Sequence, residues 1–282
     1  MDANLTIQAA SAKTPLGRLR AICAHSGLDL DKVDPTILER MRLLAETTET
    51  LRDCERATEI AEDIFRYYEV FKPPRERFTV LERRTVVIGT LFSDIGKSGP
   101  ASASADGQRL VAEMYGVERV LDGASSVASF FGGHFSDDAA DRISRFTALG
   151  LDAAMSMREF WNLHSVWTLE ILRGDGVPAQ AVAAAATHHL LENVNPHAMF
   201  VSDERLHKYL DDTSTFARPE KLIILLDKYD AARRRGRRTH SEAITWLRAL
   251  IEGHPRFYRD HGFFSLIDGL DAVIEHRLSF LH

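Results

Sequence analysis

Residues 36–68 contain neither glycine nor proline and are rich in Leu, Glu, Arg and Ala. A stretch that long, built from strong helix formers and lacking a chain breaker, predicts one or two helices. Lys72-Pro73-Pro74-Arg75 ends it, because proline lacks an amide proton and restricts the residue before it. Residues 81–92 hold a Val86-Val87-Ile88 core that fits strand or helix, and the charged Glu82-Arg83-Arg84 ahead of it favours a buried helix. Helical patterning resumes over 152–173 and stops at Gly174-Asp175-Gly176. Pro178 suits the first turn of a helix through 181–188, and Pro219 opens another over 220–232. Residues 241–281 hold one or two more, around Gly253-His254-Pro255.

Between these runs the pattern breaks. Residues 98–107 read as a flexible loop from their Ser, Gly, Pro and Ala content. A second broken stretch extends from Gly116 through Gly132-Gly133 to Gly150, with His134 read as a loop residue. No repeat of fixed period is evident. The expected architecture is all-α: an N-terminal helical segment (1–50), a helical domain (51–250) with an irregular insertion at 98–150, and C-terminal helices (251–282).

Of the 282 residues, 45% are hydrophobic and 27% charged, with a net charge of −6. That balance excludes a general nucleic-acid binder and wholesale binding to anionic lipid, without excluding a local basic patch. The apolar runs 181–186 and 222–226 are too short to span a bilayer, and no signal peptide is visible. Two cysteines, Cys23 and Cys54, cannot build a disulfide framework or a Cys-rich zinc site, and they suggest the reducing cytoplasm. A homo-oligomer is left open.

Twelve histidines raise the question of metal binding. Four segments are chemically dense. In Phe92-Ser93-Asp94-Ile95-Gly96-Lys97, a carboxylate follows an apolar helix, where burial demands a partner or a cation, and Lys97 could reach an anion. In the segment from Trp161 to Leu172, His164 and Thr168 share a helix face among apolar neighbours. Thr187-His188-His189-Leu190 closes an Ala-rich helix. Adjacent residues diverge by about 100° on a helix, so both rings can serve one site only near its end, as Asn193 and Pro196 suggest. Finally, Asp227 and Asp230 lie one turn apart after Leu225-Leu226.

In order and local wording these segments resemble the HD superfamily of metal-dependent phosphohydrolases, and within it the HD-GYP branch. Ser93-Asp94-Ile95-Gly96-Lys97 is similar to the HDxGK motif with its His replaced. His164 through Leu172 keeps the His and the Ile-Leu of the HPxxGxxIL segment. His188-His189 matches the double His, with Leu190 in place of the following Glu. Asp227-Lys228-Tyr229-Asp230-Ala231 matches DxxDA. The GYP segment is absent, and Asp53 stands where the first-helix His is expected.

The resemblance implies two adjacent cations bridged by Asp94. One would take Asp94, His164, His188 and His189. The other would take Asp94 and Asp227, with Asp53, Glu55 or Glu59 standing in for missing imidazoles. Mixed imidazole and carboxylate ligands suit Mn, Fe or Zn, as one or two divalent ions. Asp94 and Lys97 would carry the chemistry. Lys97 would hold a phosphate oxygen, joined by Arg237 from the basic run 233–238. The implied substrate is a small-molecule phosphoester: a nucleotide or cyclic dinucleotide. The alternatives are a catalytically degenerate HD module for signalling or ligand binding, and an HD-type di-iron oxygenase, against which Ser93 counts most.

Overall fold

A computed structural model describes residues 14–117, 122–174, 176–192 and 217–279. Numbered in chain order, its α-helices are α1 (Pro15–Ser26), α2 (Pro35–Thr47), α3 (Thr50–Phe71), α4 (Val80–Phe92), α5 (Ala105–Tyr115) and α6 (Val127–His134). They continue as α7 (Ala139–Ala148), α8 (Met157–Leu172), α9 (Ala179–Ala186), α10 (Arg218–Arg234), α11 (His240–Glu252) and α12 (His261–Ser279). Among the described residues there is no strand, and a single isolated bridge pairs Ser126 with Ser156. The all-α expectation holds.

Local sequence explains most helix starts. Thr79 and Glu82 form a capping box, in which the Thr79 hydroxyl accepts from the Glu82 amide and the carboxylate accepts from the Thr79 amide. Ser156 with Glu159, and Thr239 with Glu242, repeat the device at α8 and α11. The run 36–68 is two helices rather than one. Thr47 and Thr48 turn their hydroxyls back onto the carbonyls of Leu43 and Leu44, and Thr48 is extended, which breaks the chain between α2 and α3.

Helix α4 is the centre of the main core. Every residue from Thr85 to Phe92 is buried, so it is enclosed on all sides rather than amphipathic. Helices α1, α3, α9 and α10 pack around it. The Ala-rich face of α9 permits close approach: Ala181 through Ala186 are all buried. Cys23 and Cys54 are buried thiols, and burial pushes the Cys23 thiol up to about 12. No helix among the described residues is long and apolar enough to cross a membrane.

The insertion is helical where loop was expected. Its α5, α6 and α7 build a second core from Leu110, Val111, Phe130, Phe131 and Phe146 against Phe160 of α8. The loop reading of 98–107 holds only to Ser104, whose hydroxyl caps α5. Gly132 and Gly133 lie inside α6 with open space around them; the helix is held by its neighbouring phenylalanines, which outweigh the poor propensity of glycine. The fold also contains a repeat. Asp122 and Asp152 each accept an amide two residues on, Ser126 and Ser156 each cap a helix, and the two segments exchange backbone hydrogen bonds. Those bonds run from Val127 to Met155, from Met157 to Ser125, from Ala128 to Ala153 and from Arg158 to Gly123.

After α4 the chain makes a 3₁₀ turn, Ile95–Ser98, that lies directly on α8. Gly96 permits the contact: a Cβ there would sit 2.0 Å from the His164 carbonyl oxygen and 2.7 Å from the Thr168 amide. Behind the turn, the buried Arg40 donates to the Ser98 hydroxyl and to the carbonyls of Ser98, Gly99, Pro100 and Ala101. Replacing Gly96 by Ala forces two backbones apart and should cost about 3 kcal/mol or more. Urea unfolding of Gly96→Ala checks this, and a midpoint equal to wild type would refute the packing.

Candidate metal centre

Three places in the chain deliver the four candidate ligands. Asp94 follows α4, His164 lies in the middle of α8, and His188 and His189 lie in the turn just past α9. Because α9 ends at Ala186, the chain turns before the two histidines and both rings reach the same place. Ring centroids are 5.1 Å apart for His164 and His188, 4.7 Å for His164 and His189, and 4.1 Å for His188 and His189. One nitrogen from each imidazole falls within 4.8 Å of the others. Asn193 and Pro196, which suggested a helix end, lie outside the described residues.

Hydrogen bonds set which nitrogens point inward. His164 Nδ1 donates to the Trp161 carbonyl, and His188 Nδ1 donates to the Ala185 carbonyl at 2.6 Å. With the ring protons so placed, both Nε2 atoms carry lone pairs, and they face each other at 3.1 Å. Asp94 Oδ1 lies 3.4 Å from one and 3.6 Å from the other. Three acceptors thus converge with no donor among them, which is what a cation requires; backbone carbonyls commonly fix metal-ligating imidazoles in this way. His188 is fully buried and His164 is 4% exposed.

The surroundings hold this arrangement. The Thr168 hydroxyl donates to the Ser93 carbonyl at 2.9 Å and accepts from the Gly96 amide at 3.1 Å, pinning the Asp94 turn to α8. Tyr115 of α5 stacks on Phe160 at 4.9 Å and meets the His164 ring edge-on at 5.8 Å. Its hydroxyl donates to the carbonyls of Phe160 and Trp161, the second of which also receives His164. Ser93, in the place where the resembled motif has His, turns its hydroxyl onto the Thr90 carbonyl.

A cleft of about 30 Å³ opens beside Asp94, lined by Asp53, Asp94, Lys97, Asp227, Asp230 and Arg234 among others; the three histidines do not line it. It has room for a water or an ion, not for a nucleotide. Lys97 Nζ lies 2.6 Å from Asp94 Oδ2. Buried Lys228 donates to His189 Nδ1 at 2.8 Å, and its ammonium is 3.0 Å from Asp227 Oδ2. That last contact is an ion pair whose angles fall short of a hydrogen bond. A larger cavity, about 120 Å³ beside Tyr68, Arg218 and Lys221, is not a competing centre: its cations are already paired with Glu82 and Asp260.

Of the second proposed set, Asp53, Asp94 and Asp227 line the cleft together, while Glu55 and Glu59 do not. Asp53 lines the cleft but is bound by Arg56 and Arg234. Glu55 points to α1, where Arg18 donates to it at 3.2 Å, and Glu59 is exposed. Arg237 is exposed, in left-handed backbone at φ 50°, and does not line the cleft; Arg234 and Arg235 do. His134 ends α6 on the surface. Sequence reasoning missed Lys228, Tyr115 and Arg234. Lys228 was discoverable: three and four residues after Leu225 and Ile224, it shares their buried face.

Burial opposes charge on Asp94, but the Lys97 ammonium overcomes it and holds the carboxyl well below its usual range. Burial likewise opposes charge on Asp227, and Lys228 overcomes it. Burial lowers His164, and burial with the neighbouring His188 and Lys228 holds His189 well below the ordinary imidazole value. The chain matches no protein-family model, and no curated protein and no solved structure matches it either.

This geometry makes three predictions. An unfolded chain takes protons on its histidines below about pH 6.5, while the lowered His164 and His189 do not. Stability is therefore full above about that pH and declines as the pH falls toward the folded values; the Asp94 and Asp227 contributions, full above about pH 4, are lost below it. Added Mn(II) or Zn(II) should raise the thermal midpoint at neutral pH and progressively less in acid, and should do nothing for His164→Ala. Differential scanning fluorimetry reads both, and an unchanged response in His164→Ala would refute the site. Tyr115→Phe, which removes a hydroxyl and no bulk, should weaken metal affinity about tenfold, as measured by calorimetric titration.

Proposed function

We propose that this chain is a divalent-metal-dependent phosphoester hydrolase, similar to the HD superfamily, acting on a nucleotide or related small phosphoester. The observation that carries the reading is the facing pair of buried Nε2 atoms, 3.1 Å apart, with Asp94 Oδ1 against both. His164, His188 and Asp94 would hold Mn, Fe or Zn, and His189, whose Nδ1 accepts from Lys228, packs beside them. Such an ion supplies Lewis acidity toward a phosphoryl oxygen and makes a water acidic.

The remaining roles fall to the chain. Lys97, partly exposed beside Asp94, presents an ammonium to a non-bridging phosphate oxygen. Asp94 stays ionised and keeps that ammonium in place. Arg234 and Arg235 stand at the cleft, where guanidinium groups suit phosphate. The cleft admits only the reacting end of a substrate, so base and sugar remain outside it. A second reading, a signalling or ligand-binding module without turnover, draws on one feature: Asp53 and Asp230 are already bound by this chain's Arg56 and Arg234.

Purified protein should carry Mn, Fe or Zn and hydrolyse p-nitrophenyl phosphate or its bis ester. Asp94→Asn should lose at least about a hundredfold in kcat/KM, the scale of removing a central electrostatic group. Protein that binds metal but stays silent across a phosphoester panel supports the binding module. Protein that never binds metal refutes the hydrolase.

A further inference from the structure

We propose that the cation position on the far side of Asp94 is filled by this chain's own lysine ammoniums, so that the centre is built for one metal ion and not two. The inference rests on reading His164, His188 and Asp94 as a metal centre, and it settles how many ions that centre takes.

Asp94 divides its two oxygens. Oδ1 faces the imidazole nitrogens of His164 and His188, where only lone pairs meet. Oδ2 faces Lys97 Nζ at 2.6 Å. A carboxylate placed this way bridges two positive charges, and the second is an ammonium. Deeper in, Lys228 is 2% exposed. A buried ammonium is costly unless paired, and this one has Asp227 Oδ2 at 3.0 Å and His189 Nδ1 at 2.8 Å. It takes up Asp227, the carboxylate that a second ion would need most.

The remaining acids of the cleft are also committed. Asp230 receives Arg56 Nε at 3.1 Å and Arg234 Nε at 3.2 Å, and both arginines also reach Asp53. Each of the four carboxylates facing the cleft therefore has a cationic side chain in contact. A second divalent ion in the cleft would lie against Lys97, and Lys228 already holds Asp227, so no uncommitted carboxylate is left to receive it. Its repulsion from the Lys97 ammonium is weakly screened in so small a cleft. The first position carries no such penalty, because imidazoles bring no charge to it. Ser93 fits this account. The position that would supply an imidazole to a second ion carries a hydroxyl turned onto the Thr90 carbonyl.

The consequence is a division of labour. One metal ion acts on the histidine side of Asp94, Lys97 provides the fixed positive charge on the other, and Lys228 neutralises Asp227. Fixed ammoniums exchange no ligands and undergo no redox change, which separates this centre from a pair of irons that activates oxygen.

The test counts ions on the intact chain. Chelator-stripped wild-type protein is titrated with Mn(II) by calorimetry, and bound metal is then measured by elemental mass spectrometry. One ion per chain is expected, with the spectrum of an isolated Mn(II) by electron paramagnetic resonance. Two ions per chain with a coupled spectrum would overturn the lysine assignment and leave the metal centre standing. No bound ion would overturn both. Lys97→Met/Lys228→Met, checked for folding by circular dichroism, should gain a second equivalent. A folded double variant that still takes one ion would show that the ammoniums are not what excludes the second, and would overturn the assignment. If the double variant fails to fold, the wild-type count decides.

Discussion

Two buried imidazole nitrogens that face each other with their lone pairs outward repel unless something positive lies between them. The rest of this structure is arranged to hold them there. The Trp161 and Ala185 carbonyls take the Nδ1 protons, so neither ring can turn its proton inward without giving up a hydrogen bond. Asp94 adds a third acceptor at the same point. Burial lowers the proton affinity of His164, which weakens a proton as the resident positive charge and favours a metal. A core histidine with a purely structural role is expected to pair its inward nitrogen with a donor, and among the described residues neither of these faces one.

That convergence depends on backbone proximity more than on side chains. Gly96 lets the turn after α4 rest on α8 at a distance that no Cβ permits, and Thr168 joins the two with paired hydrogen bonds. Arg40 supports the turn from behind, at the cost of burying a guanidinium, which lowers its proton affinity to about 10. Five polar atoms of one short loop converge on that single side chain. Such a concentration of polar contact is what keeps an irregular segment fixed inside a helical core.

Much of this was legible in the sequence, and the limits have physical causes. Helices α4, α8, α9 and α10 were readable because their chain breakers and apolar runs lie within each local window. The end of α9 near His188 was foreseeable, and it lets adjacent histidines share a centre. The insertion reads as irregular because its helices are short and two of the three carry glycine. They form only when Phe130, Phe131 and Phe146 meet Phe160, a contact that no local window contains. The paired turns at Asp122 and Asp152 were in plain view as matching Asp, Ser and Phe positions, but two copies do not make a period. Glu55 and Glu59 were drawn in by proximity along α3. A helix turns about 100° per residue, so neighbours of Asp53 face elsewhere, one of them toward Arg18.

Lys228 changes what Asp227 means. A carboxylate after an apolar run reads as a ligand while it stands alone. With an ammonium on the adjacent residue, and that ammonium turned inward onto both Asp227 and His189, it becomes half of an ion pair. The same holds for Asp94 Oδ2 and Lys97. On the proposed hydrolase reading, electrostatic function would survive this exchange, because a phosphoryl group responds to positive potential whether a metal or an ammonium provides it. What such a centre would lack is the symmetric clamp by which two ions hold the attacking and leaving oxygens together. A centre with one metal and two lysines would keep charge stabilisation on both sides of Asp94. It would activate a nucleophile on the histidine side alone, which fixes the face of the phosphorus that water can approach.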